Sequence, residues 1–185
     1  MERTVALLGP PGSGKGTQAE RLRDRCGFAT LATGDLLREA RRAGTDLGRR
    51  AAEYMDRGDL VPDELIIAVM RDAIARLDSE PILLDGFPRT VAQADALAHA
   101  LKDRGRELTA AILVDVPDDV VVERISGRQQ GRKDDLPETV RERLRVYHRE
   151  TEPLVAYYAE RGLLRRVDGA LDADAVEAAV RAASK

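Results

Sequence analysis

The stretch Val5-Ala6-Leu7-Leu8-Gly9-Pro10-Pro11-Gly12-Ser13-Gly14-Lys15-Gly16-Thr17 decides how the rest of the chain is read. Four apolar residues predict a buried strand. A glycine-rich loop with one lysine follows, and a helical pattern opens at Thr17. That order, with the spacing Gly-x-x-x-x-Gly-Lys, suits a nucleoside triphosphate. Glycines let successive N–H groups turn inward onto phosphate oxygens, and the next helix adds its positive N-terminal end. Gly12, Ser13, Gly14, Gly16 and Thr17 become candidate phosphate contacts, with Lys15 a point charge for the outer phosphates. An ordinary glycine-rich turn with a surface lysine is the bland alternative. The preceding strand, the following helix and the kept spacing weigh against it.

The slot after the lysine usually carries Ser or Thr, whose hydroxyl ligates magnesium. Here it is Gly16. The metal is then expected to be held mostly by phosphates and water, which suits an ion that dehydrates reluctantly.

A chain of 185 residues predicts one compact unit with small inserted lobes. Hydrophobic residues make up 43% and aromatics only 3%, so the core must be Leu, Val, Ile and Ala. No apolar run approaches the ~20 residues that span a bilayer. Glu2 and Arg3 lead straight into strand-like sequence, which predicts no secretory leader. The lone cysteine, Cys26, permits no internal disulfide. Together these predict a cytoplasmic protein. A net charge of −3 argues against a general nucleic-acid binder.

Apolar runs at 28–31, 81–84, 110–116 and 163–167 read as further buried strands. Helical patterns separate them at 17–25, 35–42, 62–77, 91–104 and 118–126, then as one long helix at 137–161, and finally at 172–183. Alternating strand and helix predicts a doubly wound parallel sheet, whose ligands bind at the carboxyl ends of the strands. Two segments break the alternation. Residues 34–60 hold helices without a strand, a small helical lobe. The polar run 128–135 reads as a short movable loop.

Four loop motifs fall on the rim so predicted. In Thr33-Gly34-Asp35-Leu36-Leu37-Arg38, an N-cap role for Thr33 or Asp35 is the local explanation, and it leaves Arg38 unexplained. In Asp85-Gly86-Phe87-Pro88-Arg89, an aspartate at a strand end can face a metal and its waters, while Gly86 and Pro88 turn Arg89 over the rim. Arg124 and Arg128 lie four apart at the end of one helix. Arg132 precedes Arg141 and Arg143. Arginines converging on one rim repel unless an anion lies between them, whereas Arg141 and Arg145 are read as solvent-facing.

Gly9 to Gln18, Thr33 to Arg38, Asp85 to Arg89 and Gly131-Arg132-Lys133-Asp134-Asp135 resemble, in sequence and in order, the motifs of adenylate kinases. The resemblance covers essentially the whole chain. It implies a P-loop NTPase-type sheet of five parallel strands in the order 2-3-1-4-5. The core would comprise 1–30, 61–127 and 137–185, the AMP-binding lobe 31–60 and the lid 128–136. It further implies that Lys15 contacts the ATP phosphates and that Arg124 stacks on the ATP adenine. Thr33, Gly34, Arg38, Leu60, Val61, Gly86, Arg89 and Gln93 would serve AMP. Arg128, Arg132 and Arg143 would clamp the transferring phosphoryl group, Arg132 and Arg143 reaching AMP as well. Asp85 would order a hydrated Mg2+, and the Phe87-Pro88 bond would be cis. The short lid and single cysteine exclude a four-ligand zinc site. Leu171 departs from the family, where a lysine is common.

The implied reaction is MgATP + AMP ⇌ 2 ADP in a monomer, with neither nucleic acid nor membrane as partner. The acceptor is an ionised phosphate oxygen, so no general base is required, and His99 and His148 lie outside the motifs. Three alternatives remain. A UMP/CMP kinase shares the fold, but Thr33, Thr90 and Gln93 favour AMP. A GTP-dependent switch needs Asn in its guanine motif, and the chain has none. An arginine-rich RNA-binding module would need more aromatics for base stacking.

Overall fold

A computed structural model describes residues 3–77, 80–127 and 136–185. Its centre is a parallel sheet of β1 (Thr4–Leu8), β2 (Ala29–Ala32), β3 (Ile82–Asp85), β4 (Ala110–Asp115) and β5 (Leu164–Asp168). The strand order is β2-β3-β1-β4-β5, as predicted. β1 lies in the middle, with Leu7 paired to Asp85 on one side and Ile112 on the other. Strands covered on both faces read as unbroken apolar runs rather than alternations, which is why these segments stand out in the sequence.

The helices are α1 (Lys15–Cys26), α2 (Thr33–Arg42), α3 (Asp46–Arg57), α4 (Asp63–Ala75), α5 (Val91–Lys102), α6 (Asp118–Ser126), α7 (Pro137–Val146), α8 (Pro153–Glu160) and α9 (Ala173–Ala183). Val5, Leu7, Leu83, Ile112 and Val114 face one side, against Leu22 of α1 and Val176 and Val180 of α9. Ala6, Ile82 and Leu84 face the other, against Met70 and Ile74 of α4 and Leu97 and Leu101 of α5. Arg165 and Arg166, both exposed, line the outer edge strand β5, where charge discourages pairing with another chain.

The predicted strands at 28–31, 81–84 and 163–167 each lie one residue early. Ala32 pairs with Asp85, and Asp115 with Asp168. The ladder runs on through rim positions that hydrophobicity alone does not mark.

The long helix predicted at 137–161 is corrected to three pieces. α7 ends at Val146, a π-helical turn covers Tyr147–Thr151, and α8 starts at Pro153. The Glu152 N–H donates to the Tyr147 carbonyl at 2.9 Å, a five-residue reach. Pro153 has no N–H to donate, and its ring would strike the carbonyl four residues back in a regular helix. The widened turn removes that conflict.

Candidate functional site

The loops after β1, β2 and β3 open on one rim, and a cleft of about 510 Å³ runs between them. A smaller recess of about 90 Å³ adjoins it. Arg38, Leu60, Gly86, Arg89 and Arg143 line both.

The glycine-rich loop bends sharply after β1. Gly12 adopts φ +79°, and a Cβ there would come within 2.7 Å of the Ile125 side chain. No other residue fits this crossing against α6. Gly14 caps α1, so the first turn of that helix, with Gly16 and Thr17, faces the cleft. Ser13 is buried. The Lys15 ammonium donates to the carbonyls of Gly9 and Pro10, at 2.8 and 2.7 Å, and to the Ser13 hydroxyl at 3.2 Å. The lysine is thereby held over the mouth of the loop.

Asp85 ends β3 beside that first turn. Its Oδ2 lies 3.7 Å from where a Cβ on Gly16 would stand. Burial pushes the Asp85 carboxyl up, while the charges of Lys15 and Arg89 pull it back. Among the described residues no group of three or more His, Cys, Asp or Glu could hold a metal. One carboxylate beside a phosphate loop nonetheless fits Mg2+, which is usually bound through one or two carboxylates, phosphates and water.

Thr33 corrects the N-cap expectation. α2 springs directly from β2 with Ala32 at the cap position, and no side chain caps it. The Thr33 hydroxyl instead donates to the Gly86 carbonyl at 2.9 Å, tying α2 to the end of β3. Asp35 pairs with Arg38 at 2.7 Å.

Gly86 sits at φ +75°, where a Cβ would meet both the Thr33 hydroxyl and the Arg89 guanidinium at 2.8 Å. Arg89 Nε donates to the Gly86 carbonyl at 2.9 Å, so the arginine is anchored by its own turn. The Phe87-Pro88 bond is cis. Gln93, buried in α5, accepts the Arg89 backbone N–H at 2.8 Å. Val61 lines the smaller recess with Gln93, Thr33 and Gly34. Arg143 reaches both cavities from α7, whose Thr139 carbonyl would lie 3.0 Å from a Cβ on Gly58.

Arg124 sits apart from the cleft lining. It donates to the carbonyls of Gly169 and Ala170, at 2.8 and 3.3 Å, and so holds the loop that carries exposed Leu171. α6 stops at Ser126. Arg128, Arg132 and the predicted lid up to position 135 lie outside the described residues.

Sequence reasoning missed Asp63 and the two cleft-lining residues of the π-helical turn, Tyr147 and Thr151. Asp63 accepts from Gln93 Nε2 and from the Thr90 hydroxyl. Its one sequence signal was a carboxylate straight after Pro62 at a helix start.

No helix among the described residues is long and apolar enough to cross a membrane. The family model for adenylate kinase matches residues 7–163. An adenylate kinase of Thermus thermophilus is 51% identical over 183 residues, covering 98% of this chain and 96% of that protein. That of Stenotrophomonas maltophilia is 47% identical over 184 residues, covering 98% of each. That of Archaeoglobus fulgidus is 43% identical over 202 residues, covering 93% of each. With a phosphate loop, a rim of arginines and near-complete coverage at such identities, the chain belongs to the adenylate kinase family.

Proposed function

We propose that the chain catalyses MgATP + AMP ⇌ 2 ADP by direct in-line phosphoryl transfer, as a cytoplasmic monomer acting on free nucleotides. The observation that carries this is a pair of adjoining cavities, one built on the phosphate loop, that share Arg38, Arg89 and Arg143. Two polyanions brought end to end repel each other, and cations common to both pockets offset that repulsion. The glycine-rich loop and Lys15 hold the triphosphate. The smaller recess, between Thr33, Val61 and Gln93, takes the monophosphate's base, with Arg38 and Arg89 on its phosphate. Arg124 borders the donor base through the loop it holds. Arg128 and Arg132 join Arg143 around the transferring group.

Asp85 would hold Mg2+ through water, and the ion would neutralise charge on the donor phosphates when bound. An acceptor phosphate oxygen is already ionised, so catalysis is positioning plus electrostatics. Distributing the arginines over α2, the β3–α5 turn, α7 and the 128–135 segment completes the set only when both nucleotides are present, which disfavours ATP hydrolysis.

A coupled assay with ATP and AMP, UMP, CMP or GMP tests the proposal. AMP should be preferred by at least about 100-fold. Comparable rates with UMP or CMP would instead indicate a pyrimidine kinase.

A further inference from the structure

The terminal amide of Gln93 is clamped between two partners of opposite, fixed polarity. Its Nε2 donates to Asp63 Oδ1 at 2.7 Å, and its Oε1 accepts the Arg89 N–H at 2.8 Å. A carboxylate has no hydrogen to give, and a backbone N–H has no lone pair to offer. The amide's two ends, ordinarily interchangeable by a half-turn, are therefore distinguished by chemistry. Asp63 is itself fixed. Its Oδ2 accepts the Thr90 hydroxyl at 2.9 Å, and Thr90 Oγ1 accepts the Gln93 N–H at 3.2 Å as the N-cap of α5. Asp63 also stands in the first turn of α4, where the helix favours negative charge. One Nε2 hydrogen and one Oε1 lone pair of Gln93 are left over, and Gln93 lines the smaller recess.

We propose that Asp63 is a specificity-determining positioning residue, which locks the polarity of the Gln93 amide so that the recess accepts a 6-aminopurine and refuses a 6-oxopurine. This rests on the monophosphate site proposed above and deepens it. A 6-aminopurine presents an acceptor at N1 beside a donor at N6, the complement of the remaining N–H and lone pair. A 6-oxopurine presents a donor at N1 beside an acceptor at O6, and would pair only with the reversed amide. The Arg89 N–H alone opposes reversal with one neutral hydrogen bond. Asp63 adds a charge-assisted bond, roughly twice as strong.

The test compares initial rates of the full chain with AMP and IMP at saturating ATP, for wild type, Asp63→Ala and Asp63→Asn. Asp63→Ala should lower the AMP-to-IMP ratio of kcat/KM about tenfold or more, through a raised KM for AMP, with the KM for ATP unchanged. Asp63→Asn, uncharged and able to present either an oxygen or a nitrogen to Gln93, should lower the ratio too, by less than Asp63→Ala. Should Asp63→Ala not fold, Asp63→Ser, suited to a first helical turn, gives the same reading. Loss of both rates in proportion, with the ratio unmoved, would overturn the lock. Wild type using IMP as well as AMP would overturn it too. A wild type that phosphorylates neither overturns the proposed function and the lock with it.

Discussion

At the scale of single residues, the site is a set of side chains held by their own turns. Arg89 is anchored through its Nε on the Gly86 carbonyl and lines both cavities. Arg89→Ala is expected to lower kcat at least about 100-fold with the fold intact, as for other groups that stabilise transition-state charge; near-normal turnover in the purified variant would remove it from the mechanism. Gly86→Ala places a methyl group against Thr33 and Arg89 in a left-handed backbone. It should cost about 1–3 kcal/mol in a urea melt and misplace Arg89. Asp85 carries the opposite kind of tension. Its folded pKa is raised above the ordinary 3.8, chiefly by burial. The folded chain then binds this proton more tightly than the unfolded chain. Stability falls as pH rises from 3.8 through the raised value, and the loss persists above it. Asp85→Asn should therefore melt higher than wild type at neutral pH, by a margin that shrinks on acidification, while losing activity. A lower melting temperature at neutral pH would mean that attraction to Lys15 and Arg89 outweighs burial.

At the scale of elements, the C-terminal helices are tied by a titrating group. His148, in the π-helical turn, contacts Asp118 of α6 at 2.9 Å and Glu152 at 3.0 Å. Those two hydrogen bonds raise its pKa above 6.5. The stabilisation is fully present below 6.5 and is lost as pH rises through the folded value. His148→Ala should thus lower the melting temperature more at about pH 5.5 than at about pH 8.5; an equal loss at both would assign the residue a packing role only. The π-helical turn also marks a limit of sequence legibility. Val140, Leu144, Leu154 and Tyr158 keep a helical period across it, and only Pro153 betrays the interruption. The glycine-rich loop was legible because its function depends on backbone shape, and glycines record that locally. The buried strands were legible because both faces are covered. Asp63 was not, because a carboxylate in a first helical turn is already explained by the helix itself. Its second use, on Gln93 thirty positions away, exists only after α4 and α5 pack. Thr33 was misread for a related reason: its partner Gly86 lies in the turn after β3, 53 positions along the chain, and meets it only in the packed sheet.

At the scale of the whole molecule, the sheet order brings the ends of β1, β2 and β3 together, with α7 opposite them. Residues from Leu7 to Thr151 thereby face one cleft. The proposed transfer requires these scattered cations to converge on the phosphates of two nucleotides held end to end. A crystal structure with a bisubstrate dinucleotide bridging the two cavities tests that most directly. Lys15, Arg38, Arg89 and Arg143, joined by Arg128 and Arg132, should lie within hydrogen-bond distance of the phosphate chain, with one base in the recess beside Gln93. Phosphates bound elsewhere, or those guanidinium groups turned away from them, would contradict the account.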